Sequence, residues 1–505
     1  MSNFKNIIKN GVFSLIYQIV TIILNLLTRT CFLQYVGVEL LGINSTFSSI
    51  LNTLSLAELG FQTAITYHLY EPIEKNNKKI VNQLMNIYRK VYHFIALIIL
   101  FASFLVLPFL QYFLKGVTVT NYIYIIFIIQ ALNTVFSYIL SYKRTLLFAD
   151  KKDYICKAID VATNIIFSIL KIVSLVVYAK YEYYLIITII QTVVANLSIH
   201  IICNKLYPYL NKEKIDKNLF KKVFVNVKDV FAAKISNYVY SSTDNIIISS
   251  MISSVAVGLV VNYTTIIIQL KSLISLLLNP VIPIIGRSLV SNNNNLEKKI
   301  DQFNFLTFFR YCLILLIVVP TYILLEDFII MWIGSDYLLS RFILILLIVD
   351  FYISIIYAPC FDYLNAAGLF KQERNVMIVA AIMNIVLSII FTLFIGLSGV
   401  LLGTVITQLF LWISRSLILF LNYFNDNSNF KKYWIKQIYY IFIFIISIIL
   451  CSFIHQLVTI ENPIFNFIIC GICCEIVAVI VYIIFLSRSQ ESKYLIQSIK
   501  LFLKI

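Results

Sequence analysis

Charge is what this sequence has least of. Only 13% of its 505 residues are Asp, Glu, Lys or Arg, about half the share of an ordinary soluble chain. Apolar residues make up 60%, and the mean hydropathy is +0.90. That much apolar surface cannot be hidden in a soluble core, because surface grows almost as fast as mass. The chain is therefore read as an integral membrane protein, and secreted, nucleic-acid-binding and cytosolic enzyme classes are excluded. Further absences narrow the class. The four histidines (His68, His93, His200, His455) are scattered, no Asp-x-Asp occurs, and the longest outside segment, about residues 326–340, is short. A membrane glycosyltransferase or glycan polymerase usually carries such a motif or a long external loop. The nine cysteines are odd in number and nearly all intramembrane, so they make no disulfide framework. Cys470, Cys473 and Cys474 crowd one segment, but no His or further Cys completes a tetrahedral metal site, and they read as small apolar residues. Lys5 and Lys9 open the chain like a signal peptide, yet the apolar run is too long and no small-residue cleavage site follows.

A helix needs about 20 apolar residues to cross the hydrocarbon core. Fourteen segments meet that length: 11–35, 41–68, 91–114, 121–142, 155–178, 184–204, 223–250, 257–283, 303–325, 341–366, 376–395, 399–421, 437–457 and 463–486. The short loops between them leave no room for a soluble domain. With the N-terminus in the cytoplasm, thirty of the 40 Lys and Arg fall on inside segments, whereas only Lys115, Lys180 and Arg341 fall outside. That bias assigns an even number of spans and cytoplasmic termini. The net charge of +16 then faces anionic lipid rather than a nucleic acid.

Most spans are apolar all round, but five carry polar residues at helical spacing. Span 1 has Ser14, Gln18, Thr21, Asn25 and Thr28 with Arg29 adjacent, and span 2 has Ser48, Asn52, Ser55, Glu58 and Gln62. Span 5 has Asp160, Asn164, Ser168, Lys171 and Ser174. Span 7 has Lys234, Asn237, Ser241 and Asp244, and span 8 has Asn262, Thr265, Gln269, Ser272 and Asn279 with Lys271 beside them. Such faces cannot point at hydrocarbon, so they line a polar interior. For a single Ser or Thr, interhelical hydrogen bonding explains the residue as well. A charge at mid-membrane costs about 2.5–3.5 kcal/mol even on the gentlest scale, so Arg29, Lys171 and Lys271 point to a site. Arg415 and Lys228, near the cytoplasmic ends, are read as snorkelling, and Arg310 as intermediate.

The halves echo each other. Gly42 and Gly258 are 216 residues apart, and the same shift sets Phe47 against Tyr263 and Arg29 against Asn245. This suggests a parallel repeat of six spans about an axis along the membrane normal. The expected fold is an all-α polytopic membrane protein of about fourteen transmembrane helices. Two six-helix lobes, residues 1–204 and 223–425, flank a central polar cleft. A cytoplasmic linker, 205–222, joins them, and 426–505 holds two extra C-terminal helices and the tail. Two lobes around a polar cleft is the architecture of an alternating-access transporter.

The run from Arg29 through Tyr35-Val36-Gly37-Val38-Glu39-Leu40-Leu41-Gly42 to Leu56-Ala57-Glu58-Leu59-Gly60-Phe61 and Ala64 resembles the N-terminal signature of Wzx-type polysaccharide flippases. Ser242-Thr243-Asp244-Asn245-Ile246-Ile247-Ile248, followed by Val257-Gly258, resembles the start of their second lobe. These flippases belong to the multidrug/oligosaccharidyl-lipid/polysaccharide exporter superfamily. The resemblance implies movement of undecaprenyl-diphosphate-linked oligosaccharide from the inner to the outer leaflet of a bacterial plasma membrane, for capsule, O-antigen or related glycans. It implies no cofactor, with H+, Na+ or the membrane potential as the energy source, and membrane lipids, a polymerase and glycosyltransferases as partners. It also implies a basic residue in span 1, which Arg29 matches. The residues assigned to the cleft are Gln18, Asn25, Arg29, Asn52, Glu58, Lys171, Lys234, Asn237, Asp244, Gln269 and Lys271, with Glu58, Asp160 and Asp244 roughly balancing the cations. Two relatives in the superfamily stay as alternatives, a lipid II flippase and a drug or metabolite antiporter. The antiporter branch looks for a carboxylate in span 1, where this chain has Arg29.

Overall fold

A computed structural model describes residues 2–55, 61–211, 220, 243–278, 296–458 and 460–503. Among these, helices carry nearly all of the chain and no strand occurs, as expected where every backbone N–H and C=O must be satisfied within its own segment. Twelve helices among the described residues are long and apolar enough to cross a membrane, and they coincide with twelve of the fourteen expected spans. The other two lie partly outside the described residues. Segment 41–68 comprises two helices, Val38–Leu54 and Phe61–Glu74, on either side of residues outside the described set. Segment 223–250 is described only from residue 243, where 243–251 is helical. The linker 205–222 also lies largely outside the described residues.

The chain forms two units, residues 1–261 and 262–505. In the first, the Ser2–Tyr35 helix lies along Asp153–Tyr178, which packs on Tyr181–Leu206. That helix packs in turn on Asn121–Ser141, and Asn121–Ser141 on Lys78–Val106. In the second, Phe370–Ile395 and Leu397–Leu417 form a hairpin, and Leu397–Leu417 packs on Arg341–Ile356. The neighbour order recurs: spans 5 and 6 pair as 11 and 12 do, and spans 4 and 6 as 10 and 12. The Asn427–Leu457 and Pro463–Val481 helices pack on each other and on Val319–Ile333.

Close backbone approach sets two of these joints. Gly396, at φ 61°, turns the chain in the hairpin. Gly399 and Gly403 then let the next helix lie against the preceding backbone, for a Cβ on Gly403 would come within 2.7 Å of the Ser388 nitrogen. The Gly399-Val400-Leu401-Leu402-Gly403 spacing is a small-residue packing motif of membrane helices.

The other joint lies in the first unit, where the start of the Val38–Leu54 helix crosses the start of Ser254–Leu278. A Cβ on Gly42 would run into the Ser254 carbonyl, and a Cβ on Gly258 into the Val38 carbonyl. Ser254 is Val38 shifted by 216, as Gly258 is Gly42 shifted by 216. The contact is therefore self-complementary in the sense of a two-fold interface. Lys115 secures the turn that precedes the second helix. Its N–H donates to Ser249 O at 3.0 Å and its ammonium to Met251 O at 2.6 Å, so a cation caps the negative end of helix 243–251.

Candidate functional site

The span 1 stripe keeps its geometry. At 100° per residue, Ile16, Ile19, Ile23 and Leu27 share one exposed apolar face of the helix. Gln18, Asn25 and Arg29 lie on the opposite side. Gln18 and Arg29 are half-buried, whereas Asn25 is exposed on that polar side. Thr21 and Thr28 turn toward the neighbouring helices.

From this face a polar network runs through three helices. The Asn164 amide donates to the Thr21 hydroxyl at 3.5 Å, and Gln191 Nε2 donates to Asn164 Oδ1 at 2.6 Å. Gln191 Oε1 in turn accepts from the Lys171 ammonium at 2.7 Å. Lys171 is only 9% exposed and stands 5.2 Å from the centre of the Tyr184 ring. Arg29 acts electrostatically on the hydroxyl of the same tyrosine. Tyr184 is held edge-on by Phe32, with ring centres 5.3 Å apart. Arg29 and Lys171 thus both act on Tyr184, the first from span 1 and the second from span 5. Beside it, Gln130 Nε2 and the Tyr181 hydroxyl both donate to Asn44 Oδ1, at 2.7 and 2.6 Å, which stitches two further helices, Asn121–Ser141 and Val38–Leu54, to this corner.

The charge balance differs from the expectation. Asp160 does not offset these cations. It takes a two-pronged contact from Arg144, at 2.9 and 2.8 Å, and Arg144 also donates to Asn196 Oδ1 at 2.7 Å. The partner of Lys171 is an amide, not a carboxylate. Arg415 does not snorkel: it is 3% exposed, bonded to Glu373 at 2.5 Å, and its guanidinium lies over the rings of Tyr357 and Phe361 at 5.0 and 4.8 Å. A guanidinium that finds a buried acid has no reason to reach for the interface. Arg310 is likewise paired, with Asp362 at 2.7 Å.

In the second unit, Lys271 is bound to Asp350 at 2.9 Å, and Gln408 Nε2 donates to the other Asp350 oxygen at 2.8 Å. Lys271 also lines an open depression of about 340 Å³ with Ile268, Ser272, Ser275 and Leu276. Gln269 lies half-buried on the same helix. Asn52 is exposed on the Val38–Leu54 helix, away from the Tyr184 corner's hydrogen bonds. Asp244 is half-buried, and its neighbour Asn245 donates to Ser49 at 3.2 Å. Glu58, Lys234, Asn237 and Lys228 lie outside the described residues.

Sequence reasoning missed Tyr184, Gln191, Asp350 and Gln408. Tyr184 and Gln191 sit seven residues apart on one face of a span otherwise read as apolar, and Asp350 is an acid at the heart of a span. Both are signals of the kind that singled out Arg29.

Comparison with known proteins completes the site's context. The chain matches a family model described as "Polysaccharide biosynthesis protein" over residues 7–289. Among solved structures it is similar to the lipid II flippase MurJ in an inward closed conformation. That match has a TM-score of 0.68 at 18% identity and covers 94% of this chain and 98% of that one. It is similar to an inward-facing multidrug resistance MATE family transporter of the MOP superfamily, with a TM-score of 0.62 at 14% identity, over 83% and 99% of the two chains. It is also similar to the MATE transporter VcmN of Vibrio cholerae, with a TM-score of 0.57 at 13% identity, over 84% and 98%. No curated protein matches the chain. At these identities the structural likeness is one of fold.

Proposed function

Because the chain belongs to the polysaccharide biosynthesis protein family, as its resemblance to Wzx-type flippases implied, we propose that it flips a lipid-linked oligosaccharide across the bacterial plasma membrane. The substrate is an undecaprenyl-diphosphate-linked repeat unit, moved from the inner to the outer leaflet by alternating access of two lobes, with both termini in the cytoplasm. The protein acts as a transporter and does no covalent chemistry. A polymerase and glycosyltransferases would supply and consume the cargo.

The observation that carries this reading is the Tyr184 corner. A diphosphate and a glycan cannot cross hydrocarbon unaided, and each needs a different kind of partner. Arg29 and Lys171 supply charge-assisted donors for phosphate oxygens. Asn164, Gln191 and Asn25 supply neutral donors and acceptors, and Tyr184 a ring face, which suit sugar hydroxyls and C–H edges. The polyprenyl tail stays in the lipid against the exposed apolar side of the same helices.

Deleting the gene tests this. Lipid-linked oligosaccharide should accumulate on the cytoplasmic leaflet while the matching surface glycan disappears. Unchanged surface glycan in a cell with no second flippase refutes the reading. Loss of peptidoglycan precursor export would move the cargo to lipid II, and a rise in drug sensitivity alone would favour an antiporter.

A further inference from the structure

Span 14 carries an acid on its outer side, away from the sites described above. Glu475 lies at the middle of the Pro463–Leu486 stretch, with about 15 Å or more of helix between it and either end. Its side chain is exposed on the surface of the second unit rather than turned into the bundle. Lys and Arg can snorkel to the headgroups from some depth, but a glutamate is too short to reach them from here. Ionisable residues inside a bilayer almost always face protein or water and meet a partner there. An acid that faces outward at this depth calls for a protein neighbour.

The shape of the surface is a second, independent sign. An open depression of about 580 Å³ runs between the Val319–Ile333 and Pro463–Val481 helices, and Glu475 lines it. Gly471, Glu475 and Val479 form one row along it at i, i+4 spacing. This row is a furrow, because Gly471 has no side chain, and Pro320 and Leu324 of the neighbouring helix line its other side. The next row, Ile468, Ile472, Ile476 and Ile480, is a ridge whose side chains are each about half exposed. Helices interlock by seating such a ridge in such a furrow. One face that offers both meets the requirement of a two-fold interface, in which each copy gives and receives the same elements. The chemistry selects the same occupant. A lipid chain can fill the furrow but brings no hydrogen bond to the midplane. A carboxylic acid carries a donor and an acceptor, so two of them satisfy each other. A two-fold axis along the membrane normal sets equal residues at equal depth, a match that an unrelated helix would have to supply from its own sequence.

We propose that the Gly471–Glu475 face of span 14 is a self-association surface. Two copies of the chain pair there about an axis along the membrane normal, the isoleucine ridge of each in the furrow of the other, with the two Glu475 carboxyls bonded to each other. The inference stands apart from the flipping reading, because the face pairs whatever cargo the protein moves.

The test uses the full-length protein, labelled with donor or acceptor dye, in vesicles of phosphatidylcholine and phosphatidylglycerol over a range of protein-to-lipid ratios. Energy transfer should report pairing that dilutes away. Glu475→Leu makes the span more apolar and so spares folding; it should weaken pairing by about tenfold or more, the worth of one or two interhelical hydrogen bonds. Gly471→Leu fills the furrow and should weaken pairing comparably. A Cβ on Gly471 meets the Leu324 side chain at an ordinary 3.5 Å, so the single copy has room for it, and unchanged melting in detergent checks this. Glu475→Gln keeps a donor and an acceptor and should pair like wild type. A photocrosslinking amino acid in place of Ile472, activated in native membranes, should yield a species of twice the monomer mass. Wild type that stays monomeric at every ratio, or Glu475→Leu and Gly471→Leu that pair like wild type, overturns the proposal. Crosslinks found only to lipid, or only to a different protein, overturn it as well by giving the face to another occupant.

Discussion

Gly42→Ala adds one methyl group at the place where two helices of the first unit touch backbone to backbone. The added carbon would lie 2.7 Å from the Ser254 carbonyl carbon, closer still to its oxygen, and 3.0 Å from the Gly258 nitrogen. Relaxed carbon–oxygen contacts are about 3.3–3.6 Å, so the helices must part by about 1 Å or more. Overpacking of this kind costs about 1–3 kcal/mol where side chains can give way. Here the obstacle is main chain on both sides, which puts the cost at the upper end, about 3 kcal/mol, or about 150-fold in the population that keeps the crossing. The same holds for Gly258→Ala against Val38. Because both act on one crossing, the double variant should cost far less than the sum, since the second methyl enters a gap the first has opened. The control is Gly11→Ala: its Cβ meets nothing within 4 Å, and a helical alanine is favoured over glycine by about 0.5–1 kcal/mol. Thermal unfolding of the purified proteins in detergent reads the effect, alongside surface glycan normalised to membrane abundance. Should Gly42→Ala and Gly258→Ala melt and export like Gly11→Ala, the close crossing does not exist. Strict additivity in the double variant would mean that the two glycines do not share it.

Four other outcomes follow from named contacts. Lys171→Met removes a cation bonded to an amide and set against the Tyr184 ring rather than paired with an acid among the described residues; it should leave membrane abundance intact and cut glycan export about tenfold or more, and unchanged export would remove Lys171 from the site. Lys271→Met strips Asp350 of its cation and should lower folded yield, with recovery on adding Asp350→Asn; no recovery would mean that Lys271 has a role beyond pairing. Arg415→Met alone leaves Glu373 as a buried, unpaired acid and should cost about 3–5 kcal/mol in unfolding measurements, most of it regained with Glu373→Leu. Asp426 caps the Asn427–Leu457 helix by accepting from the Asn429 N–H at 3.0 Å, which holds its carboxyl below the usual 3.8. A lowered pKa means stability present at neutral pH and lost as pH falls through it. The melting-temperature gap between wild type and Asp426→Ala should therefore be open at pH 7 and close below about pH 4, and a gap independent of pH would refute the cap.

Much of the fold was legible because a bilayer forces long apolar runs into helices. Twelve expected spans appear with shifts at their ends, where charged and aromatic residues extend helices beyond the hydrocarbon, as at Lys78–Val106 against an expected start at 91. Of the candidate site, the two cations singled out for their desolvation cost, Arg29 and Lys171, both act on Tyr184. Their partners were not legible, because pairing depends on which helices are neighbours, and one sequence does not state that. Asp160 illustrates the point. Its place on the span 5 stripe beside Lys171 suggested a shared interior, but Arg144, one turn beyond the preceding span, reaches it first. Arg415 shows the converse: closeness to a helix end suggested water, while Glu373 on the adjacent hairpin arm offered a buried acid.

Lys171 and Lys271 are not equivalent, and their partners say what each unit can offer an anion. Around Lys271 a carboxylate lies at 2.9 Å, so an approaching phosphate meets a dipole rather than a charge and must displace Asp350 before it gains an ammonium. Around Lys171 the partner is the Gln191 carbonyl, which orients the ammonium without neutralising it, and an anion can add to the group rather than exchange into it. In a medium of low dielectric that difference is large, because the Coulomb term between unit charges a few ångströms apart grows as solvent is excluded. On the proposed function the diphosphate therefore belongs with the first unit, at Arg29 and Lys171. The Lys271 depression, walled by Ser272 and Ser275, suits uncharged hydroxyl-bearing sugars.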